Sequence, residues 1–323
     1  MTITRRAVAL GLAATMLQAL LLIAFAWPAV NLAPRDLPIA VTGPQSAQVT
    51  QRLQQQSPDA FAITTLADAG AARNALADNE IYGAIVTGEG APQLLVASAA
   101  SPAVAQQLTA LAQQLGGAAP APVQDVVATD PDDPRGAGFG SMVLPLVMSG
   151  IAAGVLLTLL VPAFGARLAG LATFGLAGGL LSTLIFHTWL SIVPGAYLEL
   201  AAIAGLAMFA VAVTVVGLAA ALGRPGIGLG ALTMLLIGNP FSAATSAPEL
   251  LPQPWGTLGQ LFPPGAAASL LRAVAYFGGA GAAGPLAVLL GWSAAGLALL
   301  GFGALRARAT VEPVTGEPVP VAA

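Results

Sequence analysis

The distribution of apolar residues constrains this chain more than any motif does. One apolar run, about 7–32, precedes a hundred or so water-compatible residues, and an almost unbroken apolar stretch then occupies 139–305. A bilayer core of roughly 30 Å takes about 20 apolar helical residues per crossing. Six crossings are predicted on that measure, about 7–32, 141–164, 168–193, 198–222, 227–245 and 285–305. Charged residues are only 8 % of the chain, against roughly 25 % in soluble proteins, so the membrane reading does not hang on one segment. The expected fold class is a polytopic α-helical membrane protein with a small α/β extracytoplasmic domain between the first and second crossings.

The breaks fall at Gly165-Ala166-Arg167, Pro194-Gly195 and Gly223-Arg224-Pro225-Gly226. Basic residues in short loops favour the cytoplasm. An inside N-terminus puts Arg5, Arg6, Arg167, Arg224, Arg306 and Arg308 on that side. Trp27, Trp189, Tyr197, Trp255 and Tyr276 then fall at or beyond the outer ends of spans, the headgroup level that Trp and Tyr prefer, with Trp292 deeper. Both termini are therefore expected in the cytoplasm. Residues 1–32 form the N-terminus and first span, 33–138 the outer domain and linker, 139–305 a five-helix membrane domain, and 306–323 a tail. The first span is read as a retained anchor. A cleaved signal peptide, processed near Ala24-Phe25-Ala26, is the alternative, but Val8–Trp27 exceeds the usual apolar core of such peptides.

Within 33–138 the pattern turns globular. Strands are expected at 37–42, 61–66, 81–86 and 93–97. Helices are expected from Gly43-Pro44 to about Gln56, from an Asp68 cap to Asp78, and from Ser101-Pro102 to Gly116-Gly117, the last with a stripe of Val104, Leu108, Leu111 and Leu115. The order suggests one α/β domain, with 118–138 as a linker. Ten acids against four arginines between Arg35 and Arg135 make its surface acidic. Asp130, Asp132 and Asp133 lack the Gly and distal Glu of a calcium loop and read as solvated linker.

Several chemistries are excluded. Cysteine is absent, and His187 is the only histidine, which removes thiolate and multi-histidine metal sites. Without lysine there is no Gly-Lys-Ser/Thr phosphate loop. Gly279–Gly284 matches a dinucleotide fingerprint formally but follows no strand and leads into an apolar span. No catalytic residue, cofactor or nucleic-acid surface is nominated. The polar residues of the membrane half are His187, Glu199, Glu249 and Arg272, all near predicted outer ends. His187 reads as interfacial and Glu199 as a carboxylate at the positive end of the fourth span. Gly150/Gly154, Gly175/Gly179 and Gly226/Gly230 have the spacing for close helix approach, a weak signal in so Gly-rich a chain. The most distinctive stretch is 239–277, too broken by proline for one crossing and too apolar for an open loop. Residues 246–284 are read as an outer amphipathic or re-entrant segment, with Leu270, Leu271, Val274 and Phe277 on one face.

This layout, with Pro248-Glu249-Leu250-Leu251-Pro252 through Leu261-Phe262-Pro263-Pro264-Gly265-Ala266 and the Ile81–Val86 strand, resembles the membrane subunits of type-2 ABC exporters, including phage-infection-protein-like membrane proteins. The resemblance implies a permease in a bacterial plasma membrane, paired as a homodimer or heterodimer and driven by a separate ABC ATPase. It further implies a coupling loop at Arg167 and an outer gate or interfacial segment including Glu249, Leu261, Pro263, Pro264 and Arg272. The chain departs from that pattern in one respect: about six residues precede the first span and the Arg167 loop is short, leaving little inner surface for an ATPase. A non-transporting envelope protein, whose outer domain binds a partner or ligand, is the alternative.

Overall fold

A computed structural model describes residues 2–88, 92–116 and 121–309. Among them, five helices are long and apolar enough to cross a membrane, the architecture of a polytopic helical membrane protein. They are α1 (Ile3–Val30), α5 (Ala137–Leu160), α6 (Phe164–Thr183, continued by a π-helical turn to Trp189), α7 (Tyr197–Leu222) and α11 (Ala283–Ala309).

Between α1 and α5 lies an α/β unit of β1 (Leu37–Thr42), α2 (Ser46–Gln56), β2 (Phe61–Leu66), α3 (Ala69–Ala77), β3 (Gly83–Val86), β4 (Gln93–Val96), α4 (Pro102–Gly116) and β5 (Val123–Asp125). The sheet order is β2-β1-β3-β4-β5, with only β3–β4 antiparallel. Asp68 caps α3 as expected, its carboxylate accepting from the Ala71 N–H at 2.8 Å. Val104 and Leu108 of α4 are buried under the sheet, while the Leu115 side chain lies outside the described residues. The expected linker 118–138 needs correction, because it supplies edge strand β5, and α5 already begins at Ala137. Val123–Asp125 is too short for alternation to be read from sequence. Asp133 is buried and its carboxylate accepts from the Phe139 N–H at 2.8 Å, so it caps α5 rather than standing in solvent.

Helix α7 is the spine of the bundle: 78 % of its most apolar window is buried, against 28 % or less for the other four long helices. The three glycine pairs all face it. A Cβ at Gly150 or Gly154 would come within 3 Å of Val211 or Val215, one at Gly179 would meet the backbone of Ala201 and Gly205, and one at Gly226 the Leu218 carbonyl. Backbones can approach this closely only where no side chain intervenes.

The predicted fifth crossing, 227–245, is not one helix. Its helix α8 (Arg224–Leu232) continues as a π-helix to Gly238 and stops. Those nine plus six residues rise about 22 Å. Residues 239–262 then leave the helix line, with a 3-10 turn at Pro248–Leu250 and a short α9 (Trp255–Gly259). Helix α10 (Pro263–Tyr276) follows, started by Pro263 and Pro264 at its first positions and stopped before Gly278 and Gly279, both at positive φ. Gly226 and Gly230 place α8 beside Leu218 and Val215 of α7. Ala267 and Leu270 of α10 pack with Ala207 and Ala210, and Leu271 with Leu200 and Ala204. The two helices thus line successive halves of α7. The 246–284 segment includes this second half-helix, and α10 is buried on most sides rather than lying half-exposed on a surface.

Candidate functional site

The excursion at 239–262 does not stop at the surface of the α/β unit. Ala247 and Leu250 are fully buried within its core, beside Leu37, Ile39, Leu94 and Leu108. Phe277, just past α10, enters a second cluster of the same domain with Ala72, Leu76 and Ile81. Both sides of the broken region are therefore built into the α/β unit. Each such burial of a Leu or Phe side chain contributes about 1.5–3 kcal/mol.

Polar groups fix the same junction. The segment after α1 pairs with the excursion: the Ala33 N–H donates to the Leu250 carbonyl and the Arg35 N–H to that of Glu249, each at 3.0 Å. The Arg35 guanidinium donates to the carbonyls of Ala33, Leu250 and Asn31 at 2.9–3.0 Å. From β3's leading edge, the Tyr82 hydroxyl donates to Glu249 Oε2 at 2.8 Å. Burial, together with the adjacent Glu249 charge, pushes the Tyr82 phenol well above its ordinary 10.0, so it keeps its proton as donor.

At the base of the excursion, buried Arg272 of α10 donates to the Ala244 carbonyl at 3.0 Å and lies 4.9 Å over the Phe139 ring. Gln260 donates to the Ser242 carbonyl and accepts from Ser269, at 3.2 and 2.7 Å. Trp292 of α11 donates to the Leu261 carbonyl at 2.8 Å. Phe241 stacks on Trp255 with 4.9 Å between ring centres and meets Trp27 of α1 edge-on. The Gly140 backbone leaves no room for a side chain against Thr245, which lets the excursion lie on α5.

Of the sequence-nominated residues, Glu249, Arg272, Leu261, Pro263 and Pro264 all belong to this one assembly. Glu249 and Arg272 hold it. Pro263 and Pro264 start the half-helix, with Pro264 against Gly238, where α8 ends. Leu261 presents an exposed side chain and a bonded carbonyl. The others lie elsewhere. Arg167, at the opposite end of the bundle, donates to the Val161 and Thr158 carbonyls at 2.6 and 3.1 Å, closing the end of α5. It also lines a cavity of about 490 Å³ with Ala219, Ala220, Gly303 and Ala307. His187 Nδ1 bonds the Val193 carbonyl at 2.8 Å. Glu199 is exposed in the first turn of α7. The residues missed in the sequence are Arg35, Tyr82, Ala247 and Leu250. Their partners lie far along the chain, 167 residues for Tyr82–Glu249, and no local pattern encodes that.

Among the described residues no group of three or more His, Asp or Glu side chains is arranged to hold a metal. What the assembly can do is mechanical: it joins the α/β unit to the α8–α10 region of the helical bundle. No protein-family model, curated protein sequence or solved structure matches the chain.

Proposed function

We propose that this chain is the permease subunit of an ABC-type exporter, moving a hydrophobic or amphiphilic molecule outward with energy from a separate ATPase. In this reading α8 and α10 share one interrupted crossing, giving six in all. The α/β domain faces outward from a bacterial plasma membrane, and both termini lie in the cytoplasm. The basic residues Arg5, Arg6, Arg167, Arg224 and Arg306 support that orientation. Two subunits, identical or similar, would pair around the substrate path.

One observation carries the reading: the interrupted crossing has its excursion built into the outer domain's core. Irregular backbone at membrane depth is tolerated where protein buries it or it lines a cavity, and discontinuous helices of this kind border transport paths. A rigid outer domain fixed to such a break moves with it, so the break serves as an outer gate.

Gentle-detergent affinity purification from the native cell, with mass spectrometry, tests this. A stoichiometric ABC-type ATPase is the expected result. Its absence, under conditions that preserve a known exporter complex, sinks the proposal. One feature favours the second reading, an envelope protein that transports nothing: the Arg167 guanidinium is spent on α5 and offers little charge to an ATPase. Under that reading the outer domain retains a partner in the same purification and deletion of the gene leaves efflux unchanged.

A further inference from the structure

A cavity of about 240 Å³ lies where α1, α5 and the excursion meet. Phe25 of α1, Leu144 of α5 and Leu251 supply apolar wall, and Asn239, Thr245 and Ser246 supply polar wall. Among the described residues these three polar side chains make no hydrogen bond within the protein; Ser246 is buried, Asn239 half-buried and Thr245 exposed. The neighbouring Ser242 differs, donating to the Asn239 carbonyl and accepting from the Ala244 N–H at 2.7 and 3.4 Å. Three unpartnered polar side chains lining one cavity, that of Ser246 within an otherwise buried residue, mark a place where a ligand can complete the bonding.

The lining also fixes the chemistry. It includes no Asp, Glu, His or Arg; Arg272 lines an adjoining cleft with Phe139 and Tyr276, on the far side of Ala244 and Thr245. An ionised head group taken from water into uncharged walls is not compensated. The set of one amide and two hydroxyls offers donors and acceptors to an uncharged hydroxylated group. Leu144 is 39 % exposed on the bundle exterior and Phe25 36 %, so an apolar chain leaves between α1 and α5 into the surrounding lipid. The volume is below the roughly 300 Å³ at which sites for whole drug-sized ligands begin, which suits a small head with its tail outside.

We propose that this cavity binds the glycerol head of a neutral glycerolipid, with Asn239, Thr245 and Ser246 bonding its hydroxyls. The site rests on the chain lying in a bilayer and holds with or without an ATPase.

The test reconstitutes the full chain, without any ATPase, in phosphatidylcholine nanodiscs with a diazirine-bearing monoacylglycerol. Labelling is expected on the 239–251 peptide and the facing ends of α1 and α5, with competition by unlabelled monoacylglycerol. Asn239→Ala and Ser246→Ala should each weaken it about fivefold, the loss of one hydrogen bond of about 1 kcal/mol. Leu144→Trp, which narrows the apolar wall and leaves every polar group in place, should weaken it too while keeping a monodisperse gel-filtration profile. That variant decides the matter if the alanine forms do not fold. Equal labelling of the same peptides by a lysophosphatidic acid probe of the same acyl chain overturns the neutral-head assignment. Uncompeted labelling spread evenly over α1 and α11 overturns the site. A chain that does not enter nanodiscs overturns the membrane placement and the site with it, and is read before any label is added.

Discussion

Helix α7 and the α8–excursion–α10 path beside it follow nearly the same line through the bundle, yet they are held differently. Among its contacts, α7 has the backbone-close approaches of Gly150, Gly154, Gly179, Gly226 and Gly296, and its 26 residues form one uninterrupted helix. The α8–excursion–α10 path is interrupted for 24 residues, from 239 to 262. It too has close glycine approaches, at Gly256, Gly259 and Gly265, but it is tied in addition by side-chain hydrogen bonds from Arg35, Tyr82, Gln260, Arg272 and Trp292. Close packing has no intermediate state: a side chain either fits or it does not. Hydrogen bonds to backbone carbonyls can be exchanged one at a time at about 0.5–1.5 kcal/mol each, or about 1.5–3 when the donor is charged. The difference separates a continuous spine from a segment whose polar ties can be removed one at a time.

The largest effect is expected where the spine is overfilled. Gly179→Leu puts a branched side chain against the backbone of Ala201 and Gly205. The cost should lie at or beyond the upper end of the roughly 1–3 kcal/mol typical of overpacking. Size-exclusion chromatography in detergent should show loss of the monodisperse peak, whereas Gly291→Leu, with open space around its Cβ position, should behave as the parent does. A well-behaved Gly179→Leu protein would remove the contrast between the two regions.

A smaller, local loss is expected for Arg272→Met. It keeps the bulk of the side chain and removes the bond to the Ala244 carbonyl and the charge over Phe139, costing about 2 kcal/mol. Hydrogen exchange should rise within 239–262 and not in α7. Uniform exchange increases across both would mean that the excursion and the spine open together.

How far the sequence discloses these regions follows from the range of the interactions. The long apolar runs, the α/β order and the Asp68 cap are local signals, and they are legible. The division of the crossing at Gly238 is only half legible. Residues 227–245 contain enough apolar residues for a span, and hydropathy averages over Asn239-Pro240, where the helix ends. The insertion of Ala247 and Leu250 into a core made by Leu37, Ile39 and Leu108 is not legible at all, since any apolar pair in a proline-rich loop has the same local appearance. Composition misleads in the other direction for the glycines. Their abundance makes each Gly-x-x-x-Gly pair look accidental, yet all three face α7.

The Tyr82–Glu249 bond gives a finer handle on the same contrast. A double-mutant cycle of Tyr82→Phe and Glu249→Gln should report a coupling of about 1–2 kcal/mol, because one partner is a charged acceptor. The folded chain holds the Tyr82 proton more tightly than the unfolded chain does. Its contribution is therefore complete below the ordinary phenol value of 10.0 and is lost as pH climbs through the higher folded-state value. Tyr82→Phe should flatten that alkaline decline in thermal stability; an unaltered decline would assign it to other groups.

The smallest effect concerns Ala243, which sits in the excursion at φ 55, a left-handed conformation that a side chain disfavours. The penalty for an L-residue there is roughly 1–2 kcal/mol, offset on replacement by the extra freedom glycine has in the unfolded chain, roughly 0.4–1 kcal/mol. Ala243→Gly should therefore raise stability by about 0–1.6 kcal/mol, read as a small upward shift in Tm. At a matching position in the spine the same exchange runs the other way: Ala212, buried in α7, should lose roughly 0.5–1 kcal/mol on conversion to glycine. Opposite signs for one chemical change would locate the strain in the interrupted segment. A loss at both positions would mean that the excursion depends on the Ala243 methyl for packing against Phe241 and Leu251, and that this part of the break is as tightly filled as the spine.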